Sequence, residues 1–263
     1  MIHTEPAIRF RFGLTPLDKV RPWGAERPVL HWFGLTDGWY CIDLDGHEVL
    51  RYSEHTVREL RSDSDGGQPC PYVDYYVVRL WEDVIELVSK AMEPVPPDLL
   101  DIAADNSPDW GWDWEDAPEE ADAALAWHSA GFLNTSYLRV APYVRCWRSI
   151  IGQEDTVTLT WEHEVDPEGV IEFVGPQRGR VTMPTQEFLA AVTELDRALL
   201  AAMEQRISEL EEATPVPGVE LDTEQLRREH RDRSTWLQHA RDHEPGTDWD
   251  AVRTGLGSLL AQG

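Results

Sequence analysis

Residues 28–52, PVLHWFGLTDGWYCIDLDGHEVLRY, constrain the fold more than any other stretch. Asp37-Gly38 and Asp45-Gly46 each interrupt an apolar, aromatic-rich run. Asp-Gly tolerates the positive φ that a two-residue hairpin turn demands. The spacing therefore predicts a three-stranded meander over residues 30–35, 39–44 and 47–52. On the middle strand Trp39, Cys41 and Asp43 share one face, and Tyr40, Ile42 and Leu44 share the other. Ile42 and Leu44 are expected to point inward. Aromatic residues on both faces imply that the second face is covered as well.

The remaining pattern is strands followed by helices, twice over. Residues 8–13 alternate apolar and basic side chains, as a half-exposed strand does. Residues 73–92 carry an apolar stripe at helical spacing, Val77, Leu80, Trp81, Val84, Ile85, Val88 and Met92, with Asp74 at the start and Pro94 beyond the end. Residues 143–151 and 156–164 read as strands, the second with Val157, Leu159 and Trp161 on one face. Residues 170–174 and 179–183 suggest a hairpin around Gly175-Pro176. A longer helix, 185–212, starts at Thr185 and shows Phe188, Val192, Leu195, Leu199, Met203, Ile207 and Leu210 along one side. Asp222 with Gln225, and Thr247 with Asp250, have capping-box spacing and open two further helices. Hairpin-linked strands grouped apart from helices indicate α+β: antiparallel β-meanders packed against two long amphipathic helices, with a C-terminal helical hairpin. The expected organisation is a body over 1–213, with an acidic Trp-rich segment at 93–122, and the hairpin over 214–263 docked on it.

Charge narrows the function. Lys and Arg number 23 against 49 Asp and Glu, a net −26. That disfavours binding to nucleic-acid phosphates and favours a basic protein partner. Lys19 and Lys90 are the sole lysines, and Arg-over-Lys usage with abundant Ala, Gly and Pro suggests GC-rich coding or a salt-adapted proteome. Three cysteines, Cys41, Cys70 and Cys146, are an odd, scattered set without a CxxC pair, so buried thiols are expected rather than disulfides or zinc. No apolar leader opens the sequence and no run is long enough to span a bilayer, which predicts a cytoplasmic protein without membrane contact.

The search for chemistry is mostly negative. No phosphate-binding GxxxxGK[ST], no GxGxxG after a strand, no HExxH and no GxSxG occurs. Glu162 and Glu164 share a strand face near His163, and Asp43, Asp45, His47 and Glu48 gather at the second turn. Strand alternation explains the first group and turn chemistry the second. No catalytic residue, metal or cofactor is assigned. The rival expectation is an enzyme whose site draws on Glu162, Glu164, His31 or His47; a third is a structural or regulatory subunit.

Between Lys90 and Arg139 there is no Lys or Arg, while eleven acids fall there. Within that gap Asp109, Trp110, Trp112, Asp113, Trp114, Glu115 and Asp116 form the candidate partner-binding surface. Trp is favoured at binding hot spots and carboxylates complement a basic partner. Acids spaced like phosphates could also occupy a basic nuclease cleft, as an immunity-type inhibitor would. The alternative is that the indoles pin a long loop to the body and the acids are solvated.

Several stretches, IRFRFGL (8–14), RPWG (21–24), LHWFGLTDGWY (30–40), YYVVRLWED (75–83), EFLAAV (187–192) and TDWDAVR (247–253), together resemble an uncharacterised protein family of GC-rich Gram-positive bacteria. The resemblance spans most of the chain. It implies one integrated unit in a bacterial cytoplasm, and it carries no activity or site residue.

Overall fold

A computed structural model describes residues 6–61, 69–105, 118–213, 217–243 and 246–260. Strand β1 (Ile8–Leu14) leads through a Pro-containing loop and the two-residue β2 (Val29–Leu30) into β3 (Asp37–Leu44), followed by the short β4 (His47–Glu48). Helix α1 (Glu54–Arg61) and strand β5 (Val73–Tyr76) complete this half before helix α2 (Val77–Ala91). β3 is the centre of the sheet. It pairs antiparallel with β1 from Leu14↔Gly38 to Ile8↔Leu44 on one side, and with β4 and β5 on the other.

This corrects the three-stranded meander expected over 30–52. Asp45-Gly46 is the turn anticipated, with φ of 50° and 81°. Asp37-Gly38 is not a turn; it opens β3. Gly38 is needed for close approach, because a Cβ there would run into the carbonyl oxygen of Gly13 on β1. Residues 34–36 instead form a 3₁₀ turn, in which the Gly34 N–H donates to His31 Nδ1 at 3.0 Å. Residues 73–76 are also strand rather than helix, and Asp74 pairs with Arg61 at 2.6 Å instead of capping α2. Val, Tyr and Tyr favour a pleated, half-buried edge, and that local preference wins over the helical stripe that starts at Val77.

Both faces of β3 are covered, as its aromatic content implies. Tyr40, Ile42 and Leu44 join the main core, while Cys41 and Asp43 are buried on the other face. Arg9 pairs with Asp43 at 2.7 Å, and the Arg11 guanidinium reaches Glu48, Tyr72 and the Cys41 sulfur.

Beyond α2, short helices α3 (Leu100–Ala103) and α4 (Asp122–Ala130) precede a second sheet of β6 (Tyr143–Ile151), β7 (Glu154–Glu162) and β8 (Arg178–Pro184). Its register, Val144↔Trp161 and Cys146↔Leu159, puts Val144, Cys146, Val157, Leu159 and Trp161 on one face. That face joins the main core with α2 and with α5 (Thr185–Glu212). Each of the two long helices touches both sheets. The hairpin expected from 170–174 does not form. That stretch instead lies along residues 51–56, with Tyr52 bridging Phe173 and Thr56 Oγ1 donating to the Val170 carbonyl at 2.9 Å.

The end of the chain is helical: α6 (Thr223–Arg233), α7 (Trp236–Asp242) and α8 (Trp249–Leu260), with β9 (Glu220–Leu221) parallel to β2. Asp222 caps α6 as its spacing predicts, accepting the Gln225 N–H at 2.8 Å. α6 lies on α5, where Arg227 forks to Glu204 and Glu211. α7 lies on α2. There Arg233 stands 4.5 Å from the Trp32 ring and 4.7 Å from the Trp236 ring, and pairs with Glu82 at 2.6 Å. Two expected caps are reassigned. Asp248, not Thr247, caps α8, accepting the N–H groups of Asp250 and Ala251. Thr185 lies inside α5 and donates its hydroxyl to Asp155 at 2.6 Å, while Pro184 takes the cap position.

Candidate functional site

The outer face of the second sheet carries Arg145, Trp147, Thr158 and Thr160, all buried. Trp147 packs into a second, smaller apolar cluster with Leu99 just before α3, Ala124 and Leu125 of α4, and Val252 and Leu256 of α8. Small residues let these elements come close. A Cβ on Gly255 of α8 would sit 2.7 Å from the Glu120 carbonyl oxygen, so α8 crosses there almost backbone to backbone. The same small side chains leave space elsewhere. Between the end of α2, α4, β6 and the start of α8 lies a cavity of about 390 Å³, within the range of small-molecule sites. Ala123, Ala126, Trp127 and Ala130 of α4 and Gly131 just beyond it line the cavity together with Trp147 and Trp249.

Arg145 is the unusual member of this lining. It is 2% exposed, yet among the described residues no carboxylate pairs with it. Both of its hydrogen-bonding contacts come from Nη1, one to the Asp105 carbonyl at 2.8 Å and one to His128 Nε2. Its Nε has no acceptor among the described residues. The guanidinium carbon lies 5.0 Å from the Phe132 ring centre and 5.9 Å from that of Trp127. Burial brings the guanidinium down to about 10, against the pull of the Asp105 charge. Burial first, and the Arg145 charge second, push His128 down to about 4. The imidazole is therefore neutral near pH 7, and its Nε2 contacts both Arg145 Nη1 and the Asp105 carbonyl oxygen, the latter at 3.1 Å.

The other charged groups at the cavity differ in their ties. Glu93 accepts from the Thr247 hydroxyl at 2.5 Å, and Asp248 is occupied with the α8 cap. Lys90, one of two lysines in the chain, is exposed at the cavity and makes no ion pair among the described residues. His243 also lines the opening. The site is thus mixed: Ala, Val and Trp residues line part of it, with a buried cation on one side and two carboxylates already engaged on another.

The sequence-predicted groups fall elsewhere. Asp109, Trp110, Trp112, Asp113, Trp114, Glu115 and Asp116 lie outside the described residues. His31 packs edge-on against Trp23 at 4.6 Å, and His47 lies 5.6 Å from the Trp161 ring. Glu162 pairs with Arg178 at 2.6 Å and Glu164 accepts from the Tyr143 hydroxyl at 2.6 Å. None of these four lines the cavity, and the structure does not gather them. Asp43, Asp45 and Glu48 serve the turn and its ion pairs. Among the described residues no group of three His, Cys, Asp or Glu is placed to hold a metal. Cys41 and Cys146 are buried, their thiols pushed up to about 11 and about 12.

Two further buried groups stand apart from the cavity. Asp83 on α2 is driven up to about 7 by burial, with Arg79 opposing it, beside the paired hydroxyls of Tyr40 and Tyr137. His163 stacks on Phe173 at 4.7 Å with no partner for either ring nitrogen among the described residues, and burial lowers it to about 4.

A family model matches residues 9–255, from β1 into α8. The chain belongs to DUF5984, a family of unknown function. No curated protein and no solved structure matches it. The DUF5984 match takes in both sheets, the long helices and Lys90, Arg145, Trp147, Trp249 and Val252 of the cavity. No described helix is long and apolar enough to cross a membrane.

Proposed function

We propose that the protein is a binding module that carries out no reaction of its own, and that its second helical layer docks on a basic protein partner. The sharpest form of this reading is an immunity-type inhibitor that covers a basic surface of a toxin or nuclease. The observation that supports it is the charge of that layer. Asp101, Asp105, Glu119, Glu120 and Asp122 are exposed there, and Arg253 is its one Lys or Arg among residues 97–130 and 246–260. Arg253 is itself engaged by Asp98 at 2.8 Å and Asp250 at 3.2 Å. Such a surface steers a basic partner and repels an acidic one. The partner contacts fall to these carboxylates and to Asp109, Trp110, Trp112, Asp113, Trp114, Glu115 and Asp116, which follow Asp105 in the sequence.

The test is affinity purification from the native host, then calorimetry with the recovered partner. A basic partner whose affinity falls steeply with salt, and is lost on combined reversal of Asp109, Asp113, Glu115 and Asp116 to Lys, is the expected outcome. Binding that survives the reversal, or that ignores salt, counts against the surface.

A further inference from the structure

The cavity behind the acidic layer asks a different question from the layer itself. An arginine removed from water without an anionic partner is costly, because the guanidinium loses its hydration and gains little in return. Among the described residues no carboxylate pairs with Arg145, although the Asp105 charge acts on it, and Gly131, lacking a side chain, leaves Nε room; a Cβ there would come 3.3 Å from it. Cation–π contacts with Phe132 and Trp127 offset part of the cost but supply no acceptor. Arg145 is nonetheless placed at a cavity rather than in a closed core.

We infer that this cavity binds a small organic carboxylate with a flat apolar body, its anionic end meeting Arg145 and its ring lying among Trp127, Trp147 and Trp249. Three features select this class. The Arg145 guanidinium balances one negative charge, and its planar donors suit a carboxylate. The indoles offer flat faces for stacking. The volume of about 390 Å³ admits a one- or two-ring molecule and no polymer. Lys90, exposed at the opening, favours entry of an anion into a protein of net charge −26. A phosphate dianion fits less well, since a second charge would have no buried partner. This inference is independent of the proposed protein partner.

The experiment is calorimetry on the full chain at pH 7, with tryptophan fluorescence and thermal unfolding as parallel readouts. The probes are benzoate and indole-3-acetate, their neutral counterparts benzyl alcohol and indole-3-ethanol, and inorganic phosphate. The two carboxylates are expected to bind saturably, perturb the indole emission and raise the unfolding temperature, and the alcohols and phosphate are not. Arg145→Met, checked for native circular dichroism, weakens carboxylate binding by about ten- to a hundredfold, the worth of a charge-assisted hydrogen bond. Should that variant fail to fold, Ala130→Leu decides, because it fills the cavity from α4 and is expected to abolish binding. The inference is overturned by no response to either carboxylate at about ten millimolar, well above a millimolar dissociation constant. It is overturned equally by alcohols binding as well as carboxylates, by phosphate binding in their place, or by undiminished binding in Ala130→Leu.

Discussion

Trp161 and Gly179 face each other across β7 and β8, and the indole fills the space that a side chain at 179 would need. The N-terminal sheet repeats the device. Trp39 pairs with Gly13 across β3 and β1, where an added Cβ would sit 2.5 Å from the indole nitrogen. Each sheet therefore rests a large ring flat on its neighbour strand. Gly179→Ala should destabilise the protein by about 2 kcal/mol, the scale of overpacking a filled site. Denaturant unfolding measures this. A double variant with Trp161→Val should recover part of the loss caused by the added methyl group; strict additivity would show that the ring is not the obstacle.

Stability against pH should reveal two buried groups that work in opposite directions. His163 is lowered to about 4 in the fold, so its contribution is intact above the unfolded value near 6.5 and is lost as pH falls through 4. Asp83 is raised to about 7, so the fold favours its neutral form, and stability declines as pH rises from the unfolded value near 3.8 to 7. Between about pH 4 and 6.5 the two trends partly cancel. His163→Phe should remove the acid-side loss of that one group, leaving the similar contribution of His128, and Asp83→Asn should raise stability at pH 8 by about 2 kcal/mol. Unfolding free energies measured from pH 4 to 8 test both. An Asp83→Asn profile parallel to that of the parent protein would refute the assignment.

Arg233 is expected to hold the C-terminal helices to α2. Arg233→Ala removes the contacts with Trp32 and Trp236 and the ion pair to Glu82, so a loss of about 3 kcal/mol is expected. Arg233→Lys should recover less than half, since an ammonium cannot lie flat between two rings. Limited proteolysis supplies the structural readout: cleavage within α6 and α7 should accelerate in both variants, more in the first.

Thiol reactivity offers a simple check of burial. Cys41 and Cys146 are enclosed and hard to ionise, whereas Cys70 is half-buried. Ellman's reagent should titrate one thiol rapidly in the native protein and all three after denaturation. Rapid native reaction of a second thiol would contradict the packing around β3 or β6.

How far the sequence could be read depends on what each signal reports. The stripe from Phe188 to Leu210 defines α5 to its ends, because a 28-residue helix with one buried side repeats the same period many times. The α+β class follows from such stripes and from the alternation in β6 and β7. Asp37-Gly38 misleads because its glycine answers to Gly13 on a distant strand rather than to a local turn. Tyr75 and Tyr76 are taken by β5 for a similar reason: an available strand edge outweighs helical spacing. Alternation did place Arg145 and Trp147 on the face opposite Val144 and Cys146, but it cannot say what lies over that face. Thr158 and Thr160 lie opposite them, but Arg145 and Arg180 share that face, so its charge gave no hint of burial. The cover itself comes from α3, α4 and α8, whose pairing with β6 has no local signature.

The distance along the chain between Arg145 and α8 has a temporal consequence. During synthesis β6 leaves the ribosome long before residues 249–260 exist, and until they arrive Trp147 and the alanine side of α4 face water. The main core can consolidate in the meantime, since α2, α5 and both sheets precede α8. The second layer must therefore assemble late, on a body already formed, and the nascent protein passes through a stage in which the pocket around Arg145 is an open groove.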